Sequence, residues 1–223
     1  MAQRSGSDGT GSGGVELTST AEVRSVHVGP MDNVAYLVTC RRTREQVLVD
    51  AAAEPATLLD LVRAGSPEGR LALVVTTHRH PDHVGALAEV VAATGAATAA
   101  GEDDADHLPV PVDRRLRHGE VLTAGDVRLE VVHLRGHTPG SVALVLRGGG
   151  EGPDRVLTGD SLFPGGVGNT RGDAAAFTSL LGDVTARLFD VLDDATVVHP
   201  GHGAPTTIGA ERPHLSEWRA RGW

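Results

Sequence analysis

Residues 71–83 carry the chain from an apolar run, Leu71-Ala72-Leu73-Val74-Val75, into Thr77-His78-Arg79-His80-Pro81-Asp82-His83. Three imidazoles and a carboxylate fall within six residues. A short aliphatic run that stops this abruptly reads as a strand of a buried sheet. On extended backbone His78 and His80, one residue apart, leave the same face, and imidazole nitrogen ligates zinc or iron at neutral pH. Asp82 and His83 follow on the turn, near enough to serve a second ion. Two ions need about six or seven protein ligands with positions left open for water. The fold therefore has to bring further donors to the end of this strand.

The rest of the chain supplies short strands at 15–17, 22–28, 31–39 and 46–50, with Gly29-Pro30 and residues 41–44 as turns, so an antiparallel meander precedes the motif. Pro55 opens a helix with Leu58, Leu59 and Val62 on one face, ended by Gly65-Ser66-Pro67. After His83 the spacing of Val84, Leu87, Val90 and Val91 predicts a helix with Asp82 and His83 at its N-terminus. Further strands are expected at 121–122, 127–134, 141–146 and 155–158, then a long amphipathic helix over 177–192, a last strand at 196–198 and a closing helix over 212–219. Aromatic residues make up only 3% of the chain, so the core rests on Val, Leu and Ala. Two successions of strands followed by a helix imply an α/β (α+β) body of two sheets with helices outside. Residues 1–14 are Gly/Ser-rich without an apolar h-region, and read as a disordered tail ahead of one domain at 15–223.

Charge and cysteine usage narrow the partners. The formal net charge is −9 and no basic run exceeds Arg41-Arg42, which argues against nucleic acid. No run approaches a membrane span. All 20 basic residues are Arg, so a lysine-dependent mechanism is excluded. The lone Cys40 reads as a small buried hydrophobe in a strand and fits a reducing compartment, so a cytoplasmic protein is expected.

Three donors stand on Gly-rich turns directly after expected strands, where the backbone can approach an ion closely: His137 in Gly136-His137-Thr138-Pro139-Gly140, Asp160 in Thr158-Gly159-Asp160-Ser161, and His202 in Pro200-Gly201-His202-Gly203. His27, His107, His118 and His214 lack such context. His133 and His199 flank donor loops and serve either as structural groups or as hydrogen-bond partners of ligands.

His-x-His-x-Asp-His followed in order by His137, Asp160 and His202 resembles the metallo-β-lactamase superfamily over residues 15–203. That resemblance implies an αββα sandwich with a dinuclear site along one edge. It implies His78, His80 and His137 on one metal, Asp82, His83 and His202 on the other, and Asp160 bridging both. Asp50 resembles a family carboxylate that props the ligand loop; capping of the helix at Pro55 is the competing role. The implied cofactors are two divalent ions, zinc first, with iron or manganese accepted by the same donors. Two such ions bring a shared water toward ionisation at neutral pH, giving hydroxide as nucleophile with Asp82 orienting it, and no Ser or Cys nucleophile is needed.

The family's chemistries differ, and residues choose among them. Position 80 is His where diiron flavoproteins of the family carry Glu, and Cys40 lies far from any ligand position. Gly159-Asp160-Ser161-Leu162-Phe163 and the loop at 165–170 resemble the glyoxalase II (hydroxyacylglutathione hydrolase) branch, which implies a small-molecule thioester as substrate. A thiol of pKa ~8.5 leaves as thiolate with little acid assistance. Only residues 204–223 follow the His202-Gly203 loop, short of the helical domain with which that branch holds glutathione, and lysine is absent, so a thiol other than glutathione is admitted. Asn169 and Arg171 are the substrate-binding candidates, Arg171 for a carboxylate, with a solvated arginine as the plain alternative. Trp218 and Trp223 either shape a pocket or pack a terminal helix. Competing functions are a one-iron persulfide dioxygenase using His78, His137 and Asp160, a lactone or β-lactam hydrolase, and a non-catalytic metal-binding regulatory module. The complete donor set argues against the last. Oligomeric state is not legible.

Overall fold

In the computed structural model, which describes residues 14–68, 70–150 and 152–222, the chain opens as an antiparallel meander. Its strands are β1 (Val15–Leu17), β2 (Ala21–Val28), β3 (Asn33–Cys40) and β4 (Glu45–Val49). α1 (Pro55–Gly65) crosses over to β5 (Arg70–Thr76), which runs parallel to β4. After α2 (Pro81–Val84) and α3 (Leu87–Thr94) come β6 (Ala97–Gly101) and β7 (Arg114–Leu116), both joined in parallel register, completing a seven-stranded sheet in chain order.

The second sheet has six strands. β8 (Val121–Ala124), β9 (Val127–His133), β10 (Val142–Leu146) and β11 (Arg155–Gly159) form another antiparallel run. A small hairpin, β12 (Leu162–Phe163) with β13 (Gly166–Val167), precedes α4 (Ala174–Val184). β14 (Val197–Pro200) then inserts parallel to β11, followed by β15 (Thr206–Thr207), α5 (Ile208–Glu211) and α6 (Leu215–Arg221).

The two-residue period of the long strands separates the core into three layers. Val34, Tyr36, Val38 and Cys40 of β3 meet Val142, Leu144 and Leu146 of β10 between the sheets. Ala35 and Leu37 face outward against Leu58 and Val62 of α1 and Leu87 and Val90 of α3. Ala143 and Val145 face the other way, against Phe177, Leu180 and Val184 of α4 and Trp218 of α6. The result is an αββα sandwich, the architecture the resemblance implies. Trp218 is buried with its ring edge-on to Phe189, 6.3 Å between centroids, so it packs the terminal helix. Trp223 and the first 13 residues of the expected tail lie outside the described residues. Among the described residues no helix is long and apolar enough to cross a membrane.

Three elements depart from the sequence reading. The helix expected after His83 is two helices, because the Ala86 N–H leaves the helical ladder to donate to Ala51 O at 3.0 Å, tying the break to the turn after β4. The helix expected over 177–192 is α-helical only to Val184 and continues as a wider turn over Thr185–Phe189, marked by Asp190 N donating to Thr185 O. β6 and β7 were not expected. β6 reads Ala-Thr-Ala-Ala-Gly, a composition with little strand propensity, and is a strand because it is buried between β5 and β7.

Candidate metal centre

The predicted donors sit in the loops and, for Asp82 and His83, the short helix α2 that follow strand ends, and the topology brings those ends to one rim of the sandwich. β4 and β5 are parallel, so Asp50 and Thr77-His78 leave the first sheet side by side. β11 and β14 are parallel, so Asp160 and His202 leave the second in the same way, with Gly201 N donating to Gly159 O at 2.8 Å. The sheets are stitched at this rim by Val142 N to Thr77 O (2.9 Å), by Val34 N to Gly201 O (2.8 Å) and by a bridge between Asn33 and His202. Three overlapping groups of donors result: His78, His80 and His137; His78, His83 and Asp160; and Asp82, His83 and His202. In each, the donor atoms lie within 4.8 Å of one another.

Asp160 stands between the histidines. Its Oδ1 is 3.2 Å from His83 Nε2, and its Oδ2 is 3.7 Å from His137 Nε2 and 3.6 Å from His202 Nε2. Gly201 makes room for this approach, since a Cβ there would stand 2.4 Å from Asp160 Oδ1 and 2.6 Å from His83 Cε1.

Four of the rings are held by the nitrogen that faces away from the centre. His83 Nδ1–H donates to Asp50 Oδ2 (2.8 Å), His137 Nδ1–H to Asn169 O (3.0 Å) and His202 Nδ1–H to Met31 O (3.0 Å). The Thr77 hydroxyl donates to Asp50 Oδ2 (2.8 Å), which leaves its oxygen to accept from His78 Nδ1–H at 3.0 Å. In a neutral ring each such bond leaves the lone pair on Nε2, the arrangement of a metal-ligating histidine. His78 Nε2, His137 Nε2 and Asp160 Oδ1 are buried without a hydrogen-bond partner. Buried polar atoms left alone are costly, and three of them aimed into one small space match the demands of a cation. The donor set fits a metal site.

The sequence model of the metallo-beta-lactamase superfamily matches residues 28–202. The chain belongs to this superfamily. The hydroxyacylglutathione hydrolase of Polaromonas sp. is 35% identical over 173 residues, covering 76% of this chain and 62% of the relative, so the chain spans less than two thirds of that protein's length. Two solved structures of the fold superpose well. ETHE1 from Myxococcus xanthus has a TM-score of 0.72 at 28% identity, covering 86% of this chain and 82% of the other. TTHA1623, solved in a di-iron-bound form, has a TM-score of 0.68 at 33% identity, covering 84% and 96%.

The electrostatics of this superfamily member differ from ligand to ligand. Burial pushes His78 well below the ordinary histidine range, and the neighbouring His83 adds to it. Burial also lowers His80, helped by His137 and by Arg171, and lowers His137 against the pull of Asp160. Burial works the same way on His83, but Asp50 and Asp160 outweigh it and raise this residue to about 10. For Asp82 and Asp160 burial opposes ionisation; the Asn33 amide on Asp82, and His83 on both, outweigh it and hold the carboxyls below their usual range.

Asp50 adopts φ 60°, a left-handed conformation that Asp tolerates, immediately after β4. That turn aims its carboxylate at Thr77 N (2.7 Å), the Thr77 hydroxyl and His83, whereas the residue before α1 is Glu54, whose side chain does not cap the helix. Asn169 meets His137 through its backbone carbonyl, and its side-chain oxygen accepts from Arg171 N at 2.7 Å. Arg171 is exposed, with φ 56° and no ion pair of its guanidinium among the described residues.

Asn33 escaped the sequence reading. Buried at the start of β3, it donates from Nδ2 to Asp82 Oδ2 at 2.9 Å and stands 3.2 Å from His202 Nε2. Its signal was a lone amide opening an otherwise apolar strand.

Proposed function

We propose that the chain is a metal-dependent hydrolase that cleaves a small-molecule thioester at a pair of divalent ions. His78, His80 and His137 would hold one ion and Asp82, His83 and His202 the other, with Asp160 available to both. The observation that carries this reading is the double set of inward-facing donors around a single shared carboxylate. Ions in that position supply Lewis acidity and bring water close to ionisation at neutral pH. Zinc is the expected metal; the same His and Asp donors accept iron and manganese, and the di-iron form of TTHA1623 supports iron as the alternative.

The chain's own groups do the positioning. Asp82, steadied by Asn33, orients the attacking water. Arg171 offers an unpaired guanidinium at the rim, suited to a substrate carboxylate, and the bond between Asn169 Oδ1 and Arg171 N shapes the loop that presents it. A thioester suits such a site because a thiolate leaving group, with a thiol pKa of ~8.5, needs little proton donation. The 35% identity to a hydroxyacylglutathione hydrolase supports the same bond. The unit that does this is a single domain over 15–223, working in the cytoplasm.

The test is direct. Protein loaded separately with zinc, iron and manganese is analysed for ions per chain and offered acyl thioesters of glutathione and of other small thiols, with lactones and a β-lactam alongside. Thiol release with two ions bound is the expected result. Two ions bound with no thioester turned over would overturn the proposal, and one iron with oxygen consumption would put the persulfide dioxygenase reading in its place.

A further inference from the structure

We infer that Asp104 is a positioning residue of the metal site, a buried carboxylate that locks the His78–His80 segment to the His137 loop and so sets the spacing of three imidazoles. The inference rests on the proposed ligation by those histidines. Asp104 follows β6, and its exposure is 0%. No sequence motif marks it.

Its two oxygens collect donors from both ligand segments. Oδ2 accepts from the Thr138 hydroxyl at 2.5 Å and from Arg79 N at 3.1 Å. Oδ1 accepts from Gly140 N at 3.0 Å and faces Arg79 Nε at 3.6 Å. Arg79 is the residue between His78 and His80; Thr138 is the residue after His137. The carboxylate therefore holds the chain at the immediate neighbour of each of the three ligands. Their rings are packed at centroid distances of 4.7 Å (His78 to His80), 4.8 Å (His78 to His137) and 4.6 Å (His80 to His137).

The contact is built as a close approach of backbone to backbone. A Cβ on Gly140 would lie 2.4 Å from Asp104 N and 2.8 Å from its Cβ, so only glycine lets the two loops meet. Thr138 is further fixed by Ser141, whose Oγ accepts from Thr138 N at 3.1 Å. The acceptor pattern matters as well as the shape. Oδ1 accepts from Gly140 N, and Oδ2 accepts from Arg79 N and the Thr138 hydroxyl, so both oxygens serve as acceptors. An asparagine there would turn an NH2 group against at least one of those donors. Thr77 and Asn169 set the rotation of the rings; Asp104 sets the distance between the chain segments that carry them. Metal sites need such support because ligand placement within about 0.5 Å governs affinity.

The experiment measures zinc binding by competition with a chromophoric chelator, together with the visible spectrum of the first cobalt(II) equivalent, in the full chain. D104N is expected to weaken the ion held by the imidazole triad by roughly ten- to a hundredfold, the usual cost of losing a group behind a ligand. It should also alter the cobalt spectrum while the metal-free protein keeps its cooperative thermal transition. T138V, which removes only the hydroxyl bond, is expected to act in the same direction with a smaller effect, and it decides the matter if D104N does not fold. Unchanged affinity and an unchanged cobalt spectrum in the folded variant would overturn the role of Asp104. H137A separates this from the ligand assignment: if H137A leaves that affinity intact, the ligation itself is wrong and the inference falls with it.

Discussion

His78, His80 and His137 stand on segments that pack backbone to backbone behind a buried carboxylate, whereas Asp82 and His202 lean on the turn and strand start at residues 31–33, and His83 on Asp50. In the first group burial keeps the imidazoles below the ordinary histidine range, so they meet a cation as neutral ligands. The second group leans on Asn33 for Asp82 and on Met31 O for His202, and the Met31 side chain on that turn is 60% exposed. Only His83 in this group is fully buried, tied to Asp50. The difference separates two ways of preparing a ligand. Loop-to-loop packing fixes distances before any ion arrives, while hydrogen bonds from an exposed turn fix orientation and leave distances adjustable. The inner group should therefore bind its ion more tightly than the outer one.

Asp160 is the residue shared by the two halves, and changing it gives the largest expected effect. D160A should lose ions from both, with thioester turnover falling by more than about 100-fold, beyond the ten- to hundredfold cost of a group outside the ligand sphere. Metal analysis of dialysed protein checks it, and retention of two ions would show that the halves do not share this carboxylate. N33A is a narrower cut. It should weaken only the outer ion, by about tenfold, because Asp82 loses its 2.9 Å amide partner while the inner rings keep theirs. A stepwise zinc titration separates the two affinities; an equal fall in both would erase the distinction between the halves.

Donors and their supports were unequally legible in the sequence. All seven candidate donors follow strand-like runs, four in the motif itself and three on Gly-rich turns, and the sheet meanders announce themselves by their period. What holds those donors was harder to read. Asp104 is separated from Arg79 by 25 positions and from Thr138 and Gly140 by 34 and 36, and it follows an alanine-rich strand that propensity does not mark. Asn169, a substrate-binding candidate, also meets His137 through its backbone carbonyl, a group every residue carries and no sequence distinguishes. Asn33 gave the faint signal of one amide in an apolar strand. Ligand identity is local chemistry; ligand support depends on which loops the fold brings together.

The smallest expected effect lies behind the outer half, where β14 delivers His202. Three residues before it, His199 is buried against Tyr36 with ring centroids 5.4 Å apart, and its Nε2 is 3.5 Å from Glu16 Oε2 on β1. Arg155 of β11 donates to the same carboxylate oxygen at 2.6 Å, so Glu16 ties the edge of the first sheet to two strands of the second. The His199 interaction, against an opposing contribution from burial and with help from Arg155, lowers Glu16 from 4.5 to about 2. A carboxyl depressed by folding stabilises the native state above its unfolded pKa and loses that contribution as pH falls through its folded value. The benefit is thus complete above about pH 5 and fades between 4.5 and 2. Glu16 is partly exposed, so solvent screening reduces the contribution to about 1 kcal/mol. E16Q should lower the melting temperature of the metal-free protein by about 2–4 °C at pH 7. The gap to the unaltered chain should close as the pH is lowered toward 2, and the inner ion should bind as before. A gap that stays constant across that range would mean that Glu16 acts by packing alone, and that β14 needs no charged brace to present His202.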